Sequence, residues 1–251
     1  MLQTPDNIRW IPADWPVPEH VQAGTTTRIG GYSRGTYASM NLASHVDDNP
    51  DYVFQNRILI REQLSLPDEP LWLQQIHSNK VINLAKENVN QPADGAYTNK
   101  HNQICVVLTA DCLPLLLCNT TGTEIAAIHI GWRGFSRNII TSALNAFTAK
   151  PQELMAWIGP YISAKHYEVG EEVRTACLKL INDTNTVFRP ARPGHWFADM
   201  QGLVRQQLQT AGVHEIFGGD NCTYTDYQHF YSYRRDGITG RVASFIWMNH
   251  H

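Results

Sequence analysis

Hydrophobic positions along this chain fall into two kinds of pattern. The runs "QICVVLT", "PLLLCN", "GTEIAAIHIGW" and "LMAWIGP" are apolar nearly throughout and have the length of buried strands. "EHVQAGTTTR" brings apolar and β-branched residues into a turn and predicts another strand, and "EIFGGDNCTY" and "GRVASFIWM" predict late ones. "LWLQQIHSNKVINL" alternates, which predicts a strand, a tight turn at Ser78-Asn79 and a second strand. Helical spacing appears in "NPDYVFQNRILIREQL", where Val53, Phe54, Ile58, Leu59 and Leu64 recur after an Asn49-Pro50 start. "SRNIITSALNAFTA", "GEEVRTACLKLIND" and "DMQGLVRQQLQTAGV" predict three more helices, the last stopped by Gly212. "IGGYSRGTY" and "QPADGAYT" read as loops.

Sheet-forming runs thus alternate irregularly with helices, and there is no repeat, low-complexity tract or long linker. The pattern predicts an α/β (α+β-like) fold: a single domain over residues 1–251, with a mixed central β-sheet covered by helices. A strict βαβ repeat is missing, so a doubly wound parallel sheet is not expected. The 251 residues are enough for a sizeable core.

Composition narrows the partners. Hydrophobic residues make up 43% and charged residues 17%, with a formal net charge of −3. No basic excess points to nucleic acid or an anionic membrane, so a phosphate-bearing ligand would need local arginines. The apolar runs are too short to cross a bilayer. The opening "MLQTPDNIRWIPADWPVP" lacks the basic and apolar regions of a secretory leader. Five cysteines without a regular framework fit reduced thiols, so a cytoplasmic location is expected. The terminal His250-His251 pair is too short to read as a tag.

One stretch breaks the apolar pattern. In "TADCLPLLL" a polar step, Thr109 to Cys112, interrupts two core runs. Cys112 shares its context with His77 in "LQQIHS" and His129 in "AAIHIGWRG": each sits where a central strand should meet a loop. Such ends converge on one rim of a sheet, where ligand sites concentrate. Two imidazoles and a thiolate form a three-ligand set for Zn²⁺ with a fourth position open to water. The same residues also read as a buried small thiol with core histidines, or as a Cys/His nucleophile pair. Asp94 in "ADG" and Asp111 in "ADC" are either partners that orient the histidines or turn-capping acids. Arg133 in "GWRG" is an anion candidate or a structural ion-pair partner. Arg28, Ser33 and Arg34 lie on or beside the glycine-rich loop, which matches no phosphate-loop fingerprint. Arg57 either serves the site or pairs with an acid. Tyr161 and Trp132 either stack a ring or pack. Arg234, Arg235 and Arg241 flank "DGITG" and read as structural or surface positions, and Cys105, Cys118, Cys177 and Cys222 as buried thiols.

The ordered motifs "TTTRIGGYSRGTYASMNLASHVDDNP", "QQIHS", "ADGAYT", "TADCLPLLL", "HIGWRG", "IGPYIS…YEVG" and "FYSYRRDGITGR" run nearly end to end and resemble the bacterial laccase-domain family, also named polyphenol oxidase, purine nucleoside phosphorylase and peptidoglycan editing factor. The resemblance implies a metal site at His77, Cys112 and His129. Ser78 and Ile130 stand where that family often has Gly and Ala, a departure that bears on packing beside the ligands. The resemblance also implies a zinc-dependent purine nucleoside enzyme. It would cleave adenosine, inosine or methylthioadenosine with phosphate, and deaminate adenosine as an accompanying activity. In that reading Asp111, Arg133 and Cys112 act at the reacting centre, while Arg28, Ser33, Arg57, Asp94 and Tyr161 bind substrate. The alternative is an amide hydrolase that removes L-Ser from a UDP-linked cell-wall precursor, a nucleotide sugar whose pyrophosphate would demand more arginine. Multicopper oxidases assemble their cluster from His-x-His pairs, and none occurs among the 11 histidines here, so phenol oxidation would need Cu²⁺ replacing zinc in vitro. A structural zinc protein is the remaining class, and Cys222 or His229 as a fourth ligand would mark it.

Overall fold

The structure is a computed structural model and describes residues 8–86, 91–181 and 186–249. His250-His251, the end of the helix predicted to reach Asn182-Asp183, and the first seven residues of the opening stretch lie outside the described residues. The elements run β1 (Trp10–Pro12), β2 (Val21–Thr26), α1 (Pro50–Gln63), β3 (Val81–Asn83), β4 (Gly95–Thr98), β5 (Ile104–Thr109), β6 (Leu113–Asn119), β7 (Ile125–Ile130), α2 (Trp132–Ser136), α3 (Ile139–Leu144), β8 (Leu154–Ile158), β9 (Glu168–Gly170), α4 (Glu171–Leu178), β10 (Phe188–Pro190), β11 (His195–Ala198), α5 (Met200–Ala211), β12 (Glu215–Gly218), α6 (Tyr233–Asp236) and β13 (Val242–Met248).

The fold is a mixed α/β domain built on two large sheets. The central sheet has the order β12-β8-β6-β7-β4-β3, with parallel pairs at its two edges and antiparallel pairs between. A four-stranded antiparallel sheet, β1-β2-β13-β5, lies against it. Strand alternation shows why both sets of strands read as unbroken apolar runs. Cys105 and Val107 of β5 and Ile246 of β13 share a core with Leu116, Ala127 and Trp157 of the central sheet. Ile104, Val106 and Leu108 point the other way, onto Met40 and Leu42 of the preceding loop and Ile60 of α1. Leu113, Leu115, Ile128 and Ile130 face α3, α4 and α5 through Ile139, Val173 and Leu203. Helices therefore cover one face of the central sheet, while the second sheet covers the other. Burial on both faces removes any need for polar alternation. A small sheet, β10-β11-β9, completes the described residues.

Helix signals in the sequence held where the helix is long. Asn49 caps α1, its Oδ1 accepting from Asp51 N at 2.9 Å, and Gly212 ends α5 at φ 99°. Three segments differ from expectation. "SRNIITSALNAFTA" gives a helix only at α3, and a separate short α2 precedes it, the two being divided by Asn138 at φ 65°. "QPADGAYT", read as a loop, supplies β4. Leu71–Lys80, read as a strand and turn, forms no strand, and pairing begins only at β3. Its ladder is replaced by a side chain: Gln75 Nε2 donates to Leu108 O and Gln75 Oε1 accepts from Leu108 N, both at 2.8 Å. No described helix is long and apolar enough to cross a membrane.

Candidate metal centre

The step from β5 to β6 is where the chain leaves one sheet for the other. Thr109 to Cys112 make that passage, and Asp111 takes φ 90° to turn it. Thr223 Oγ1 and Arg234 N each donate to one Asp111 carboxylate oxygen at 2.6 Å, which holds the turn in place. Cys112 emerges beside the end of β7, where Pro114 of β6 pairs with His129.

His77 comes from the irregular segment and also adopts a left-handed backbone, φ 58°. The conformation costs of order 1–3 kcal/mol for a non-glycine residue and persists only where its surroundings impose it. Here the imposing group is Asp94, which is fully buried immediately before β4. Its carboxylate accepts from His77 N at 2.9 Å, Ser78 N at 2.6 Å, Ser78 Oγ at 2.7 Å and Ile76 N at 3.3 Å. The same carboxylate meets His129 Nδ1 at 2.9 Å, and Asp94 O accepts from His129 N at 2.7 Å. One acid thus positions two candidate ligands. Arg137 Nη1 adds a bond to His77 O at 3.0 Å. Ser78, one of the departures noted above, supplies a hydroxyl to Asp94. Ile130, the other, packs in the helical core.

The donor atoms of His77, Cys112 and His129 lie within 4.8 Å of one another, the one such group of His, Cys, Asp or Glu among the described residues. Cys112 Sγ is 3.8 Å from His77 Nε2, and the two imidazoles meet edge to face at 4.8 Å. With Nδ1 held by Asp94, His129 presents Nε2 to the group. The electrostatics match the geometry. Burial opposes ionisation of the Cys112 thiol, but the charges and hydrogen bonds of His129 and His77 outweigh it and lower its pKa. Burial likewise opposes charge on His129, while Cys112 and Asp94 outweigh it and raise that pKa. Burial would raise the Asp94 carboxyl, yet its bonds to His129 and Ser78 hold it down at about 2. A pocket that stabilises a thiolate beside two imidazoles, one of them backed by a carboxylate, suits a divalent cation such as Zn²⁺. Gly131 leaves room for this arrangement: a Cβ there would sit 2.7 Å from His77 Cδ2 and 3.1 Å from Cys112 Sγ.

Neither proposed fourth ligand joins the group. Cys222 Sγ donates to Ser163 Oγ at 3.1 Å, and His229 Nδ1 meets Asp226 at 2.8 Å. The three donors open instead onto a cleft of about 510 Å³, within the range of small-molecule sites.

The cleft sorts the other candidates. Asp111 and Arg133 line it. Arg133 stacks on Trp132 at 4.4 Å, and among the described residues no acceptor or ion-pair partner engages its guanidinium. Arg28, Ser33, Arg57 and Tyr161 stand outside the cleft lining. Arg28 Nε donates to Ala38 O at 2.9 Å, and Ser33 Oγ donates to Asp48 at 2.6 Å. Arg57 grips Leu42 O with two nitrogens, at 3.0 and 2.8 Å. Tyr161 is buried and pairs with the Gln201 amide at 2.7 Å. Sequence reasoning missed His45, Gln75, Tyr167 and Tyr233 as lining residues, and left Arg234 and Arg241 as structural or surface positions although both line the cleft. Nothing in local spacing marks them, because they come from five separate segments. A second cleft of about 500 Å³ shares Arg133, Tyr167 and Arg234 with the first and adds Arg192 and His195.

The chain belongs to the family described as multi-copper polyphenol oxidoreductase laccase, whose profile matches residues 22–249. Among its relatives, the protein named purine nucleoside phosphorylase YfiH of Escherichia coli strain K12 is 44% identical over 239 residues, covering 95% of this chain and 98% of that one. A purine nucleoside phosphorylase of Haemophilus influenzae is 42% identical, covering 94% and 98%. Among solved structures, a Neisseria meningitidis protein superposes with a TM-score of 0.92 at 41% identity, covering 98% of this chain and all of its own. YlmD of Geobacillus stearothermophilus gives a TM-score of 0.90 at 27% identity.

Proposed function

We propose that this protein is a zinc-dependent purine nucleoside phosphorylase, acting on adenosine, inosine and methylthioadenosine, with adenosine deamination as an accompanying activity. The observation that carries the reading is a three-donor group open to a cleft that also holds an unengaged arginine. The names of relatives more than 40% identical along nearly the whole chain support the substrate class. The family description invokes several coppers, but a copper cluster needs more donors than this single group among the described residues offers. Cu²⁺ bound there in vitro would give phenol oxidation only as a side reaction.

His77, Cys112 and His129 would hold the ion. Zinc, when bound, supplies Lewis acidity and lowers the pKa of a water toward neutrality. The remaining work belongs to the chain. Arg133 binds the phosphate, its planar fork matching the anion and its stem steadied on Trp132. Tyr167 and Tyr233 give the purine two aromatic walls, the role expected of Tyr161. Asp111 keeps the Cys112 turn and Arg234 in register. Asp94 fixes the orientation of His129.

Hydrolysis of the amide to L-Ser in a UDP-linked precursor is the second reading. Arg133, Arg234 and Arg241 line the main cleft, a cluster of cations such as a pyrophosphate calls for. Incubating metal-assayed protein with adenosine, with and without phosphate, separates the two. Phosphate-dependent adenine that disappears in Cys112→Ala is the expected outcome, and inosine reports deamination. Products no greater than those of Cys112→Ala would discard the nucleoside reading and make the amide the next substrate.

A further inference from the structure

Phosphorolysis requires a proton to move. The C1′–N bond of the nucleoside breaks and a C1′–O bond to phosphate forms. Monohydrogen phosphate gives up its hydroxyl proton, and the departing purine nitrogen must gain one. The exchange balances without oxidant or third reactant, but it needs a group that can accept and then release a proton within the cleft.

The lining residues leave few choices. His77, Cys112 and His129 form the metal group. Both carboxylate oxygens of Asp111 are engaged by Thr223 and Arg234. Burial pushes the Tyr167 hydroxyl far above neutrality, and the arginines hold their protons. His45 remains. It lines the same cleft, it is exposed, and no described hydrogen bond or ion pair engages its ring. The backbone on either side of it is held by side chains. Arg57 clamps Leu42 O, Asn41 Oδ1 accepts from Ala43 N at 3.1 Å and Arg241 N at 2.9 Å, and Asn41 Nδ2 donates to Asp48 at 2.9 Å. A rigid support under a free side chain is what a positioned acid–base group requires.

We infer that His45 is the proton carrier of the cleft, taking the proton from phosphate and delivering it to the leaving purine nitrogen. The inference rests on the nucleoside reading above. The surroundings of the ring agree with it: partial burial first, then the charges of Arg241 and Arg57, lower its pKa and favour the neutral imidazole, the form that accepts a proton.

The test uses the full chain with its metal content measured beside activity, in wild type, His45→Gln and His45→Ala. We expect kcat for phosphorolysis to fall about 100-fold in both variants. KM for adenosine and phosphate should stay within about threefold and metal stoichiometry should not change. Free imidazole should restore part of the kcat of His45→Ala. A kcat within about threefold of wild type overturns the inference, as does an effect confined to KM. Loss of metal from the variants also overturns it, since His45 would then support the metal group. Wild type inactive on every purine nucleoside discards the nucleoside reading itself, whereas active wild type with unimpaired variants discards His45 alone.

Discussion

The floor and the rim of the main cleft are built on opposite principles. At the floor the Asp94 carboxylate ties the polar groups together. Asp94 is fully buried and serves three backbone amides, a hydroxyl and an imidazole, and the residues it holds include one in a left-handed conformation. At the rim Arg133 and His45 have no bonded partner among the described residues, and Arg133 and Arg234 rest their cations on aromatic rings. A buried charge that is fully bonded fixes geometry, whereas an exposed polar group without a hydrogen-bond partner is available to a ligand. The floor is therefore organised before anything binds, and the rim is organised by what binds.

Removing Asp94 should break the floor most severely. Asp94→Ala strands the amides of Ile76 to Ser78 and frees His129, so a loss of about 3–5 kcal/mol is expected in thermal unfolding. Zinc affinity should drop about 100-fold. Retention of wild-type zinc content after dialysis would show that Asp94 does not orient the ligands. Gly131→Ala is the sharper probe. Gly131 has φ −86°, which alanine adopts freely, so the only insult is the added Cβ against His77 and Cys112. Zinc affinity should fall about tenfold while stability drops by about 1–3 kcal/mol. Unchanged zinc affinity, measured by competition with a chelating dye, would mean that the ligands shift without cost. The smallest effect belongs to the rim. Arg133→Met keeps the stem over Trp132 and removes the charge. Stability and zinc content should not move, and KM for phosphate should rise about tenfold. An unaltered KM would place the anion elsewhere, with Arg234 and Arg241 next to be tested.

Legibility followed the range of the interactions. The strands β5, β6 and β7 were visible because burial on both faces leaves an uninterrupted apolar run. Cys112 and His129 stood out as polar breaks at the ends of those runs. His77 was placed beside them on a strand that does not exist: alternation in Leu71–Lys80 reflects a segment laid along Leu108 by the Gln75 amide and tied down by Asp94. Period-two patterning reports that alternate residues face the core, and an irregular segment can meet that condition without a partner strand. The glycine-rich loop drew attention to Arg28 and Ser33, whose side chains instead brace the loop against Ala38 and Asp48.

The sequence by itself determined the class of the fold, the longer helices with their caps, and the residue types of a candidate three-donor group, because each depends on periodicity or on a chemical misfit within a few positions. Only the tertiary structure decided that β5 and β6 belong to different sheets and that Asp94 serves both His77 and His129. It alone brought His45, Tyr167, Tyr233, Arg234 and Arg241 to one cleft. Those relations join residues tens to hundreds of positions apart, and burial, backbone conformation and hydrogen bonding across that distance leave no local period for a sequence to display.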